Sequence, residues 1–270
     1  MKVAIVLSVY KKDKALPFYL AVLSLLHQTY QSIAIFIRLD GEVSHEINRL
    51  IKIFQQKYTN IYVSKNDSNY GLSHSLNQLI DIILTHYPQV EFIARMDADD
   101  ISHLNRIKRQ VDFLNQHIDI DVLGTACKEF GIYNKVIIKD KHDSVIKANI
   151  LKVTPFIHPS VMFRSRIFFE GNRYPQNTVL SEDLAFWLYL SKKSYSFHNL
   201  DEVLLFYRID EETLVRRTGF RKALSELRVR MLYLLSLKNN YIMNTLYILG
   251  HFGIRIMPTF IVREIYRLLR

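Results

Sequence analysis

Residues Val3 to Val9 form an almost unbroken apolar run, rich in β-branched side chains. A strand with no polar face must be covered on both sides, a condition met in a parallel sheet with helices above and below it. The same unit then recurs. A helical stretch from Pro17 to Gln28 leads to a second apolar run, Ile33 to Leu39, that stops at Asp40-Gly41. A helix from about His45 to Lys57 precedes a third strand at Ile61 to Ser64, and one over Leu72 to Thr85 precedes a fourth at Glu91 to Met96. Strands alternating with helices imply right-handed crossovers and an α/β fold with an open, doubly wound, mainly parallel sheet. Ligands of such sheets bind beyond the carboxyl ends of the strands, which is where Ser8, Asp40 and Asp97-Ala98-Asp99-Asp100 fall.

After a helix over Arg106 to His117 the pattern loses regularity. Short strands are read near Val122 to Ala126 and Val136 to Ile138, then a helix over Ser181 to Lys192. An apolar run ends at Phe206-Tyr207-Arg208 before an acidic loop. From about Arg221 the sequence is helical, apolar and basic, with no strand signal. The chain thus divides into an α/β unit, residues 1–211, and a basic helical C-terminal region, residues 212–270.

The lone cysteine, Cys127, has no intramolecular disulfide partner and reads as a small buried hydrophobe; the first residues lack the pattern of a secretory signal. A cytoplasmic setting is the expectation. A formal charge of +10 favours anionic partners such as nucleotides, phospholipid headgroups or nucleic acid, without choosing among them. The tyrosines and phenylalanines are not interleaved with basic residues as base-stacking platforms are, so nucleic acid is not an expected partner. Glycine-rich dinucleotide and phosphate-loop lysine motifs are absent, which argues against dehydrogenases and P-loop enzymes. Tyr241 to Ile254 is too short to span a bilayer. In Phe260 to Arg270, Arg263, Arg267 and Arg270 share one helical face opposite Ile261, Ile265, Leu268 and Leu269, a basic amphipathic pattern suited to an anionic membrane surface. The competing reading is that it packs on the α/β unit or on a second subunit.

Asp97 and Asp99 stand two residues apart at a strand end, so period-two geometry points both carboxylates to one side. Hard oxygen ligands of this kind suit Mg²⁺ or Mn²⁺, with the phosphates of a ligand completing the shell. The competing reading is a polar turn in which Asp100-Ile101-Ser102 caps the following helix. Ser181-Glu182-Asp183 likewise reads as a serine N-cap followed by two acids, whose pKa the helix dipole lowers unless the surroundings desolvate them.

Taken in order, these motifs resemble a known family. Ser8-Val9-Tyr10, Ser24-Leu25-Leu26-His27-Gln28-Thr29-Tyr30, Leu39-Asp40-Gly41 and Asn69-Tyr70-Gly71-Leu72-Ser73 to Asn77 come first. Arg95-Met96-Asp97-Ala98-Asp99-Asp100 with Arg106 and Gln110, His158-Pro159-Ser160, and Glu182-Asp183 with Trp187 follow. The set resembles family 2 of the nucleotide-sugar glycosyltransferases, which have the GT-A fold, and within it the subgroup that builds bacterial capsule, exopolysaccharide and lipopolysaccharide. The resemblance spans residues 3 to about 210. It implies that Asp97 and Asp99 hold Mn²⁺ or Mg²⁺ and the donor diphosphate, that Asp40 contacts the nucleoside, and that Ser8 and Tyr10 line the nucleotide side. It also implies that Asp183 is the general base, with Glu182 as the neighbouring substitute. Arg208 is a cation placed to offset the charge of a leaving diphosphate, whereas Arg216 and Arg217 read as solvated surface; His158 is a candidate contact to acceptor or diphosphate. Two departures from the family pattern are Leu39, where a first aspartate is usual, and Ser8, where proline is frequent.

The expected activity is therefore inverting transfer of a hexose or N-acetylhexosamine from a uridine diphosphate sugar to a hydroxyl of a surface-glycan acceptor. That acceptor is a free or lipid-linked glycan at the inner face of the plasma membrane. The rival enzymatic reading is a metal-dependent nucleotidyltransferase or phosphohydrolase; the non-enzymatic one is a basic module binding nucleic acid or membrane.

Overall fold

The computed structural model describes residues 1–216, 218–237, 241–258 and 261. Its first half follows the expected alternation: β1 (Val3–Val9), α1 (Ala15–Leu26), β2 (Ile33–Asp40), α2 (His45–Lys57), β3 (Ile61–Asn66), α3 (Leu72–His86) and β4 (Phe92–Met96). A two-residue β5 (Ile101–Ser102) precedes α4 (Arg106–Gln116), β6 (Val122–Gly131), β7 (Val136–Ile137) and α5 (Asp143–Asn149). A 3₁₀ turn at His158–Ser160 leads to β8 (Met162–Arg164), α6 (Arg166–Phe169), α7 (Glu182–Lys192) and β9 (Phe197–Ile209), followed by α8 (Glu211–Arg216), α9 (Phe220–Leu234) and α10 (Tyr241–Ile256).

Among the described residues the strands form one nine-stranded sheet in the order β3-β2-β1-β4-β8-β6-β9-β5, with β7 on β6. The block β3-β2-β1-β4 is parallel throughout, and β6 and β9 are parallel to each other. Strand β8 enters antiparallel to both β4 and β6 and joins the two blocks. The two sides of β1 explain its composition. Val3, Ile5, Leu7 and Val9 belong to one core with α1 and α2, whereas Ala4 and Val6 belong to another with α3 and α7. Each such fully buried aliphatic side chain contributes about 1.5–3 kcal/mol relative to exposure, which makes a polar substitution in β1 costly on either parity.

Two expectations are corrected. The 13-residue β9 was not read from the sequence beyond its last apolar stretch, because Asn199, Asp201 and Glu202 interrupt it; in the structure the β6–β9 ladder shifts register around Thr125, Ala126 and Cys127 and continues past them. The acidic segment after Arg208 is not a loop but the short helix α8, whose start is held by Asp210 Oδ1 accepting from the Thr213 N–H and hydroxyl.

Helices α9 and α10 add Leu234 and Ile248 to the second core. They are also tied by charge. Glu226, buried, accepts from Arg230 at 2.8 Å and from Arg255 at 3.1 Å, and the Arg230 guanidinium also donates to Leu151 O. No helix among the described residues is long and apolar enough to cross a membrane. Arg217, Arg263, Arg267 and Arg270 lie outside the described residues.

Candidate active site

Strand β4 ends at Met96, and residues 97–100 turn instead of continuing extended. Period-two geometry therefore does not bring the acids together; the turn does. Carboxylate oxygens of Asp97, Asp99 and Asp100 all lie within 4.8 Å of one another. Asp100 does not cap the next helix, whose N-cap position is Asn105. It is fully buried, its Oδ1 accepts the Arg208 N–H at 2.8 Å, and its Oδ2 has no hydrogen-bond partner. Burial, then the charges of Asp99 and Asp97, push its carboxyl well above the ordinary range. Three clustered carboxylates, one with an orphaned buried oxygen, form an oxygen-rich donor set that fits a hard divalent cation.

Two cations flank the turn. Arg95, buried, donates to Asp97 Oδ1 at 2.5 Å. Arg208 donates through Nε to Asp99 O at 2.9 Å, and its guanidinium lies 4.5 Å above the Phe130 ring. Behind them, Arg106 donates to Arg95 O at 2.7 Å and to Gln110 Oε1 at 3.1 Å. Gln110 in turn donates to Ser160 O at 2.9 Å, which fixes the His158–Ser160 turn against the strand end.

The acids of α7 lie across a cavity of about 510 Å³ whose lining includes Asp97, His158, Glu182 and Asp183. Ser181 occupies the N-cap position of α7, as expected, but its hydroxyl does not cap the helix; it donates to Val179 O at 3.1 Å. Asp183 Oδ1 instead accepts the Leu184 N–H at 2.7 Å, yet burial outweighs this bond and the nearby Lys222 and raises its carboxyl above the usual aspartate range. Glu182 is raised as well, by burial and then by Asp183. Desolvation wins over the helix dipole, the condition under which an aspartate at a helix start becomes a stronger base. His158 Nε2 meets the Tyr174 hydroxyl at 3.1 Å, and burial followed by the Arg95 charge holds the imidazole well below its ordinary pKa, hence neutral. Tyr174 is itself pinned by Asn77, which exchanges two hydrogen bonds of 2.9 Å with its backbone.

The far wall of the cavity was not foreseen. It comes from α9 and α10, which contribute Lys222, Glu226, His251, Ile254 and Arg255. Lys222 Nζ donates to Leu180 O at 2.8 Å, and Ser225 Oγ accepts the Val179 N–H at 2.9 Å, so α9 holds the segment leading into Glu182-Asp183. Leu180 there adopts φ 51°, a conformation costly for a branched residue and retained by these two bonds. Cys127 is buried, as expected, and also lines the cavity.

Ser8, Tyr10 and Asp40 lie apart from this cavity, at the carboxyl ends of β1 and β2. The Asp40 carboxylate is buried and accepts from Asn66 Nδ2 at 2.8 Å and from the N–H groups of Tyr70 and Gly71, each at 2.9 Å. It is thus occupied by internal donors and anchors the turn that opens α3. Gly41 packs against that turn at φ 84°, where a Cβ would stand 2.9 Å from Asn69 N. The sequence supplied Asp40 but not Asn66, which bridges Asp40, Ser75 and Arg38 and carries no local signal.

With this geometry in place, the comparisons are specific. The family described as Glycosyl transferase family 2 matches residues 4–191. The chain is 28% identical to an Escherichia coli protein named UDP-Gal:alpha-D-GlcNAc-diphosphoundecaprenol beta-1,3-galactosyltransferase, over 98% of this chain and 95% of the relative. It is 27% identical to the amylovoran biosynthesis glycosyltransferase of Erwinia amylovora, over 97% of both. Among solved structures, TarS 1-349 of S. aureus in complex with UDP-GlcNAc superimposes with TM-score 0.68 at 16% identity, covering 92% of this chain and 70% of that one. The mannosyltransferase PcManGT of Pyrobaculum calidifontis, in complex with GDP-Man and Mn2+, gives 0.67 at 11% identity, covering 99% and 80%. At these identities the two structures bear on the fold alone.

Proposed function

Because the chain belongs to glycosyl transferase family 2, we propose that this glycosyltransferase of bacterial surface-glycan assembly works by inversion, using a uridine diphosphate hexose or N-acetylhexosamine as donor and a lipid-diphosphate-linked glycan as acceptor. The observation that carries the reading is that Asp97, of the acidic turn, and Asp183, of α7, line one cavity. The donor and acceptor classes follow the Escherichia coli relative, which is matched over nearly its whole length.

In the proposed reaction the acceptor hydroxyl oxygen attacks the anomeric carbon of the donor, and the bond from that carbon to the diphosphate breaks with its electron pair leaving on the diphosphate. Asp183 takes the hydroxyl proton, and a single displacement inverts the anomeric configuration. Asp97 and Asp99 would hold a divalent cation, with Asp100 at their back, and Mn²⁺ or Mg²⁺ bound there supplies positive charge to the departing diphosphate. Arg95 orients Asp97. Arg208 fixes the backbone of the acidic turn. Neutral His158 serves as a hydrogen-bonding partner for a sugar hydroxyl. Ser8, Tyr10 and the turn held by Asp40 form the nucleotide side.

The test is a panel of nucleotide sugars incubated with the protein, each with Mn²⁺, Mg²⁺ or chelator, reading the small product. Release of a nucleoside diphosphate from one donor, dependent on metal, is the expected result. Pyrophosphate or inorganic phosphate as the product would overturn it in favour of nucleotidyl transfer or phosphohydrolysis.

A further inference from the structure

The two C-terminal helices that wall the cavity carry a second surface on their other side. On α10 only Ile248 is fully buried, and His251 and Arg255 turn inward to Lys152 O and Glu226. The outward side is apolar. Ile242, Leu246 and Leu249, at helical spacing i, i+4 and i+7, are 82%, 59% and 52% exposed, with Met243 beside them. No lysine, arginine, aspartate or glutamate occurs from Tyr241 to Ile254. On α9 the exposed positions Arg221, Leu224, Arg228, Leu232 and Leu235 also form one stripe, arginines toward its start and leucines toward its end, with Leu232 and Leu235 60% and 70% exposed. A solvent-facing side of this composition on two packed helices is larger than scattered surface leucines account for, and marks an interface.

We infer that the outward faces of α9 and α10 dock the protein on a bilayer containing anionic lipid, with the leucine and isoleucine side chains among the acyl chains and Arg221 and Arg228 at the headgroups. Charge selects this occupant. Residues 212–270 hold eleven lysines and arginines against three glutamates, eight of the ten net positive charges, so the larger N-terminal part is nearly neutral. The only acidic residue of α9 is the buried Glu226, and α10 has none, so the face presents cations without anions. A second copy meeting this face about a two-fold axis would offer its arginines no anion, whereas anionic headgroups offer the opposite sign. Among the described residues no helix spans a membrane, which leaves docking in the interfacial plane, about 5–10 Å deep. The inference deepens the proposed function in one respect, the lipid-borne acceptor, since the same helices then face lipid on one side and the reaction cavity on the other.

The experiment is vesicle flotation of the full chain with phosphatidylcholine vesicles, with and without phosphatidylglycerol. Wild type should float with the anionic vesicles. The variant I242Q/L246Q/L249Q should lose at least tenfold in partitioning to them, and R221Q/R228Q should lose the preference for anionic over neutral vesicles. Both variants should retain donor turnover on a lipid-free acceptor. Should the glutamine variant fail to fold, hydrogen exchange on wild type decides: vesicles should slow exchange in 241–250. Unchanged flotation of a folded glutamine variant, absence of wild-type binding, or exchange unaffected by vesicles would overturn the inference. So would a wild-type dimer that the glutamine variant converts to monomer with flotation intact. Failure to transfer sugar to any acceptor would instead count against the proposed function and leave vesicle binding untouched.

Discussion

At the residue scale, the proposed chemistry turns on how Asp183 is kept both basic and ionisable. Burial raises its carboxyl, Lys222 opposes that rise, and Glu226 and Arg255 stand close behind with opposite signs. Asp183→Asn should preserve donor affinity and lower turnover by about 10² to 10⁴, the usual cost of losing a general base; wild-type turnover in this variant would return the role to Glu182 or to neither. Lys222→Met removes the largest charge that favours the ionised aspartate. The aspartate must then lose its proton at higher pH, so the acid limb of kcat/KM should move upward, and Lys222→Arg should restore it. An unmoved limb would show that Lys222 only braces Leu180. For the acidic turn, Asp99→Asn should weaken metal-supported donor binding and nearly abolish turnover, an effect that chelation of wild type should reproduce. Asp97, Asp99 and Asp183 were legible because each is a local motif at an element boundary. Lys222 and Glu226 were not, because their significance depends on α9 folding back across a gap of some forty residues.

At the scale of elements, what could be read tracked how locally each is specified. Strands β1, β2 and β4 are buried on both faces and largely apolar, so each declares itself, and the bounds of β1 and α2 match the expectation to the residue. Strand β9 is different: its polar centre reads as a break, and only pairing with β6 carries it through. Ser181 and Asp100 mislead in a related way. Each sits where a helix cap is common, yet the Ser181 hydroxyl turns back to Val179 and Asp100 is committed to Arg208. Side-chain direction at a turn is set by tertiary partners, which residue type alone does not specify.

At the scale of the whole molecule, one buried carboxylate joins the C-terminal helices to each other and to the sheet domain. Burial by itself would raise Glu226, but Arg255 and Arg230 bring it down to about 2. A depressed carboxyl contributes stability above its unfolded pKa near 4.5, and that contribution is lost as pH falls through the folded value of about 2. Glu226→Gln leaves two guanidinium groups without their anion and should cost about 3–5 kcal/mol in denaturant unfolding at neutral pH, with most of the difference gone by pH 2. A loss under 1 kcal/mol would mean that the arginines find other acceptors.

The wall that α9 and α10 lend to the cavity has an evolutionary corollary. The match to the family ends at residue 191, whereas that wall begins at Lys222. The part of the chain that the family model matches therefore stops before this wall, although the Escherichia coli and Erwinia amylovora relatives align through it. Recombination near residue 211 would exchange that surface wholesale while the strand ends and the acidic turn pass through unaltered. Any such exchange would have to keep a cation at the place of Lys222, since that side chain acts on Asp183 and holds Leu180.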